Sequence, residues 1–259
     1  AASPFALITP GRDDGAEGSR LTTLPGICLY AEFAYTGGYD ESWLAHRFYT
    51  CAGGDLAQFA GLARFNTVPG MKQPQMTTCL AAKALLFQES LLELLLKDNA
   101  GLKAAEYYQK LAAEYGGYAE EGGLYGQLMD FYAKLARVIS GKCRWHEGIS
   151  AAVKTGNQEE ALALAGELLR TKEETEELRL SWRDLWMAVN KPYGFEVIDG
   201  RLGWMEARME TAAARVREWT RGRDGLEELW EEPLHYMKHE NGVFAGVNAF
   251  GLIATACAY

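Results

Sequence analysis

The sequence predicts a mainly α-helical protein, a helical bundle with a short strand remnant at the N-terminus and a possible strand at the C-terminus. Two observations carry most of that prediction. Apolar residues recur at alternating steps of four and three in the segments Leu124, Leu128, Phe131, Leu135, Val138 and Ile198, Leu202, Met205, Met209, Ala212, Val216, Trp219, which puts each set on one face of a helix. Glycine, proline and short polar capping residues then punctuate the chain at helix-length intervals. A third observation sets the scale: 259 residues at 48% hydrophobic composition, with no low-complexity tract, suffice to bury a substantial core.

In chain order, Phe5 to Ile8 is short and apolar and reads as a strand end. Gly11 to Gly18 follows as a glycine-punctuated polar loop. Leu21 to Tyr35 reads as a helix capped by Thr22 or Thr23, with Pro25 in its first turn, where a missing N–H costs nothing. Gly37 and Gly38 stop it. Asp40 caps a second helix carrying Trp43, Leu44, Arg47 and Phe48, and Gly53, Gly54 and Asp55 start a short third one through Phe59. Residues 66–78 hold two prolines and little periodicity, so a long connection is expected there, dividing 1–70 from 71–259.

Leu80 to Leu96 is apolar on several faces, yet Lys83, Glu89 and Glu93 interrupt it too often for a membrane span. A buried helix is expected. After the Leu124 to Val138 stripe, Gly156 ends a helix and Asn157 caps the next, with Glu160 placed to reach back. Leu162, Ala165, Leu168 and Leu169 then form the expected inner face, continued by Leu178, Trp182, Leu185, Trp186 and Val189. Asn190, Lys191 and Pro192 force a break before the last stripe. Val243 to Tyr259 is apolar but contains Gly246, Asn248 and Gly251, and reads as a buried terminal strand. No internal repeat at a fixed period is visible.

The totals also exclude classes of function. A formal net charge of −9 and a pI near 5.1 repel the phosphate backbone of nucleic acid. Arg215, Arg217, Arg221 and Arg223 sit near a helix end and are followed by Glu227, Glu228, Glu231 and Glu232. They read as cations complementing a helix macrodipole. The five cysteines, Cys28, Cys51, Cys79, Cys143 and Cys257, are widely spaced and odd in number, which suits reduced, mostly buried thiols in a cytosol. Ala1 to Thr9 lacks the basic segment of a signal peptide. Neither a nucleic-acid partner nor a membrane is expected, and the localisation expected is cytoplasmic.

Catalytic machinery is sparse. His235 and His239 stand four apart, as in a helical metal site, but only Glu240 accompanies them, so a surface pair is expected and no metal. Trp145, His146 and Glu147 lack the second histidine of the metalloprotease helix. No GxSxG elbow, GK[ST] phosphate loop or GxGxxG turn is present, and no cofactor is expected. The Asp40–Glu41 dipeptide sits where a helix cap is wanted. Asp13, Asp14 and Glu17, in the loop after a strand end, fit either a solvated turn or a ligand-contacting loop.

Several segments together resemble one family. Arg12 to Glu17 with its Asp-Asp-Gly-Ala-Glu, Leu24-Pro-Gly-Ile-Cys-Leu-Tyr-Ala-Glu32 and the Cys51-Ala-Gly-Gly-Asp55 turn are similar to the barrel-closing stretch of a bacterial branch of glycoside hydrolase family 20. Trp186-Met-Ala-Val-Asn-Lys-Pro-Tyr-Gly194, Asp199-Gly-Arg-Leu-Gly203 and the helix through Trp219 resemble its C-terminal helical domain. The resemblance implies an exo-acting β-N-acetylhexosaminidase. In that family the sugar's acetamide oxygen attacks the anomeric carbon, an Asp orients it and a neighbouring Glu protonates the leaving oxygen. No Asp-Glu pair here matches, so the resemblance assigns no catalytic residue to this chain. It does assign Asp13, Asp14 and Glu17 to substrate binding, with Glu17 taking sugar hydroxyls. Where the family has a stacking tryptophan, this sequence has Gly11 and Arg12.

The partners so implied are terminal N-acetylhexosamine glycans, a catalytic barrel supplied by another stretch of polypeptide, and a second copy where an apolar face is left uncovered. By itself the chain is expected to turn over no substrate. The alternative reading is a non-catalytic helical binding or scaffold protein of related ancestry.

Overall fold

A computed structural model describes residues 19–70, 81–92 and 101–231, and these form eight α-helices with short 3-10 turns between some of them. The helices are α1 (Leu24–Thr36), α2 (Glu41–Ala52), α3 (Leu56–Gly61), α4 (Ala81–Phe87), α5 (Ala104–Glu121), α6 (Gly126–Thr155), α7 (Gln158–Val189) and α8 (Phe195–Trp219). Among the described residues there is no strand, and the two expected strands, Phe5 to Ile8 and Val243 to Tyr259, lie outside them. None of the described helices is long and apolar enough to cross a membrane.

Four helices make the body. α5 packs on α6, α6 on α7 and α7 on α8, each pair joined by a short loop that reverses the chain, which is the economy of an up-and-down bundle. The α6–α7 reversal follows the expected chemistry. Gly156 takes the left-handed conformation (φ 69°) and closes α6, while the Asn157 side chain accepts the Glu160 amide at 3.2 Å and opens α7. α7 ends at Val189, before Asn190, Lys191 and Pro192. Trp186 donates its indole N–H to the Lys191 carbonyl at 2.8 Å, fastening that turn.

The apolar stripes fill the interior. Leu128, Phe131, Leu135 and Val138 of α6 are buried, and so are Ile198, Leu202, Met205, Met209, Ala212 and Val216 of α8. Two expectations fail at their edges. Leu124 precedes α6 and is 76% exposed, because the chain turns through Gly122 and Gly123, both at positive φ. Leu162 points outward, since the inner face of α7 runs Ala161, Leu164, Ala165, Leu168; the expected Ala165 and Leu168 are buried and Leu169 packs on the core.

At the N-terminal end the expected helix divides. Residues 20–23 form a 3-10 turn before α1, with the Ser19 hydroxyl accepting the Leu21 amide. Thr22 and Thr23 do not cap: their hydroxyls donate back to the carbonyls of Ser19 and Arg20 at 2.8 and 2.7 Å, which holds the tighter turn. Pro25 lies in the first turn of α1 and Gly37, at φ 75°, ends it. Asp40 caps α2 through the Trp43 amide, and Asp55 caps α3 through the amides of Ala57 and Gln58.

The expected helix over Leu80 to Leu96 is also corrected. α4 stops at Phe87. Past it, the Glu89 carboxylate accepts the amides of Leu91 and Leu92 at 2.7 and 3.1 Å, a local bond that competes with helix continuation. Lys142 of α6 meanwhile takes the terminal carbonyls of Leu86 and Gln88.

Four tyrosine hydroxyls tie the N-terminal helices to the bundle. Tyr107, Tyr108 and Tyr115 of α5 donate to the carbonyls of Arg64, Phe65 and Gln58, and Tyr125 donates to that of Ala52. The rings of Tyr125 and Tyr115 pack edge-on against Phe59 and Phe65, so these two satisfy a backbone acceptor while burying aromatic surface. Cys143 is buried and Cys28 half-buried, as expected of thiols, but Cys51 is exposed on the outer face of α2, and all three are free.

Candidate functional site

The three residues assigned to sugar binding, Asp13, Asp14 and Glu17, lie outside the described residues. Their chain neighbour Ser19 is buried and caps the 3-10 turn that precedes α1. The described surface next along the chain is a cleft of about 350 Å³ between α1 and α2, lined by Glu32, Thr36, Gly38, Tyr39, Asp40, Trp43 and Arg47.

Each lining residue is placed by local chemistry. Gly37 reverses the chain after α1, so Tyr39 and Asp40 bridge the two helix ends. Glu32 is the buried residue of α1, and its Oε2 accepts from Arg47 Nη1 at 2.5 Å, an ion pair that locks α1 to α2. Asp40 accepts the Ser42 hydroxyl and the Trp43 amide. Those two bonds hold its carboxyl below the usual range. Trp43 and Tyr39 are more than half exposed, and Phe33 stacks at a tilt against Tyr39 with centroids 5.5 Å apart.

This arrangement sets exposed aromatic faces beside a partly buried ion pair. Aromatic faces stack on the apolar side of a sugar ring, and the ion pair offers hydrogen-bonding edges. Its two carboxylates are both engaged in structural bonds, and Asp40 is held ionised, which unsuits it as a general acid. The Asp40–Glu41 dipeptide therefore serves as a helix start, as its position suggested. Sequence periodicity missed the cleft. The signal was the run Phe33, Tyr35, Tyr39, Trp43, aromatics too dense to fit one buried stripe.

Other sequence candidates resolve into structure. Arg215 pairs with Asp224 at 2.8 Å and with Glu228, Arg221 and Arg223 both pair with Glu218, and Arg217 lies in the last turn of α8. His46 is exposed, edge-on to Trp43 at 6.3 Å. His235 and His239 lie outside the described residues. Among the described residues no group of three or more His, Cys, Asp or Glu side chains is placed to hold a metal ion. Burial raises the carboxyls of Glu147, Glu174 and Glu206, but these belong to α6, α7 and α8 in turn and form no pair across a common cleft.

The described residues thus form an all-helical domain with an aromatic-rimmed cleft between α1 and α2. Residues 57–247 match the family described as the glycoside hydrolase 20C C-terminal domain. The match spans most of the chain, and the protein belongs to that family. Comparison with curated proteins gives no match.

Proposed function

We propose that this chain is the C-terminal portion of a β-N-acetylhexosaminidase acting on terminal N-acetylhexosamine residues. In this reading residues 1–70 close the catalytic barrel and 71–259 form a stabilising helical domain. Asp13, Asp14 and Glu17 contribute to the terminal sugar subsite, and the catalytic Asp-Glu pair resides in a barrel outside these residues. The observation that carries it is the family match over 57–247, with the acidic loop and α1 immediately upstream of it.

A second observation supports the division of labour. α1, α2 and the turn between them present Ile27, Phe33, Tyr35, Tyr39, Trp43 and Tyr49 to solvent, ahead of the matched domain. So much aromatic surface on two short helices is what a covering barrel buries.

Mixing the purified chain with the barrel segment of a family 20 enzyme, then assaying release of a chromogenic N-acetylglucosaminide, tests the reading. Activity is expected from the mixture and none from this chain alone. A chain that leaves the barrel's activity unchanged, or that cleaves the substrate unaided, overturns it. The first of those outcomes favours a non-catalytic scaffold.

A further inference from the structure

A second cleft, of about 390 Å³, opens where α5, α6 and α7 meet, remote in sequence from the acidic loop, and is lined by Gln109, Ala112, Ala113, Arg137, Ser140, Gly141, Arg144, Arg170 and Glu174. Its walls carry three guanidiniums against one carboxylate, in a protein whose net charge is −9. Ala112 and Ala113 add only methyl groups to its wall.

The arginines are held from outside the cleft. Glu167, which does not line it, accepts from Arg144 Nη1 at 3.1 Å and from Arg170, while Glu177 pairs with Arg137 at 3.5 Å. Arg144 also reaches the Ser140 hydroxyl, which itself donates to the Ala105 carbonyl at 2.8 Å. These bonds orient the guanidiniums but use only part of their five donors each. Glu174 stands among them without an ion pair, and burial pushes its carboxyl up despite the Arg170, Arg137 and Arg144 charges. Guanidinium donors left over beside such partners are how arginine recognises carboxylates and phosphates.

We propose that this cleft is a second binding site, for a small hydroxylated molecule carrying one carboxylate or phosphate group. Arg137, Arg144 and Arg170 take the oxyanion, and Gln109 and Glu174 take hydroxyls. The volume accommodates one sugar-sized ligand.

Titration calorimetry of the full 259-residue chain at low ionic strength tests the proposal, with glucuronate, glucose 6-phosphate, inorganic phosphate and neutral N-acetylglucosamine as separate probes. Saturable binding is expected for at least one of the two acidic sugars, tighter than for inorganic phosphate and at least tenfold tighter than for the neutral sugar. Glucuronate and glucose 6-phosphate distinguish the carboxylate from the phosphate source. Arg137→Gln and Arg170→Gln, both on half-exposed side chains, should each weaken binding about tenfold, the loss of one charged hydrogen bond. Glu174→Gln should tighten it by removing a like charge. No saturable binding of either acidic sugar overturns the proposal, as does equal binding of the neutral sugar or affinity unchanged in both arginine variants. None of these readouts depends on hexosaminidase activity.

Discussion

The Nζ of Lys142 lies 2.6 Å from the carbonyl oxygen of Leu86, so a side chain from the middle of α6 closes the C-terminal end of α4. A second bond, to the Gln88 carbonyl at 2.8 Å, fixes the turn that follows. Lys142 is fully buried, and desolvation brings its ammonium down to about 7, against an opposing pull from the Glu89 carboxylate.

That depression makes the contribution of Lys142 pH-dependent. Between about 7 and its ordinary value of 10.5, the unfolded chain holds a proton that the folded protein has released. Raising the pH through this window therefore favours the folded state, by at most about 1.4 kcal/mol per unit. Lys142→Met lacks the proton and leaves two carbonyls without their donor. Urea melts at pH 6.5, 8 and 9 should show the variant falling progressively further behind the parent. A stability difference independent of pH would show that Lys142 keeps its charge in the fold.

Gln88, next along the chain, presents the opposite case. It is 1% exposed, and neither side-chain amide atom has a hydrogen-bond partner among the described residues. A buried amide so placed costs about 1–3 kcal/mol. Gln88→Met keeps the length, removes both polar atoms and should raise the urea midpoint. A lowered midpoint would mean that the amide serves a partner in the folded protein.

Lys142 and Gln88 also mark where the sequence stopped being legible. α5 was not expected, whereas the stripes of α6, α7 and α8, the Gly156–Asn157 and Asn190–Pro192 boundaries and most inward faces follow from spacing and capping, because those effects are local. The end of α4 at Phe87 does not, since it depends on a lysine 56 residues downstream in sequence. The α1–α2 cleft is hidden for a similar reason: Glu32 and Arg47 belong to different helices, and only folding brings them to 2.5 Å. The acidic loop differs: the assignment of Asp13, Asp14 and Glu17 to sugar binding rests on family resemblance, and these residues lie outside the described ones.

The α6–α7 crossing is tightest at Gly141, where an added Cβ would stand 2.6 Å from Thr171 Oγ1. Backbone on both sides is helical, so neither residue can move aside without disturbing its own turn. Gly141→Ala should cost about 1–3 kcal/mol by overpacking. Thr171 uses its hydroxyl only on the Glu167 carbonyl of its own helix, so Thr171→Ala makes room without stranding a distant partner. The double variant should recover most of the loss in a thermal melt. Additive losses would place the strain elsewhere.

The subsite assignment reaches furthest toward function, and Glu17 carries it. In the proposed enzyme its carboxylate accepts sugar hydroxyls, bonds to a charged group that are each worth about 1.5–3 kcal/mol. Glu17→Gln keeps the shape and removes the charge, so kcat/KM of the barrel-complemented protein should fall roughly ten- to hundredfold. Asp40→Asn, by contrast, touches a residue whose oxygens serve Ser42 and the Trp43 amide, and it should leave kcat/KM within about twofold while loosening the start of α2. The pair of measurements separates substrate binding from support of the fold. If both variants lose activity in parallel with thermal stability, the acidic loop acts on the structure alone; if only Glu17→Gln loses it, at unchanged stability, the loop holds the sugar.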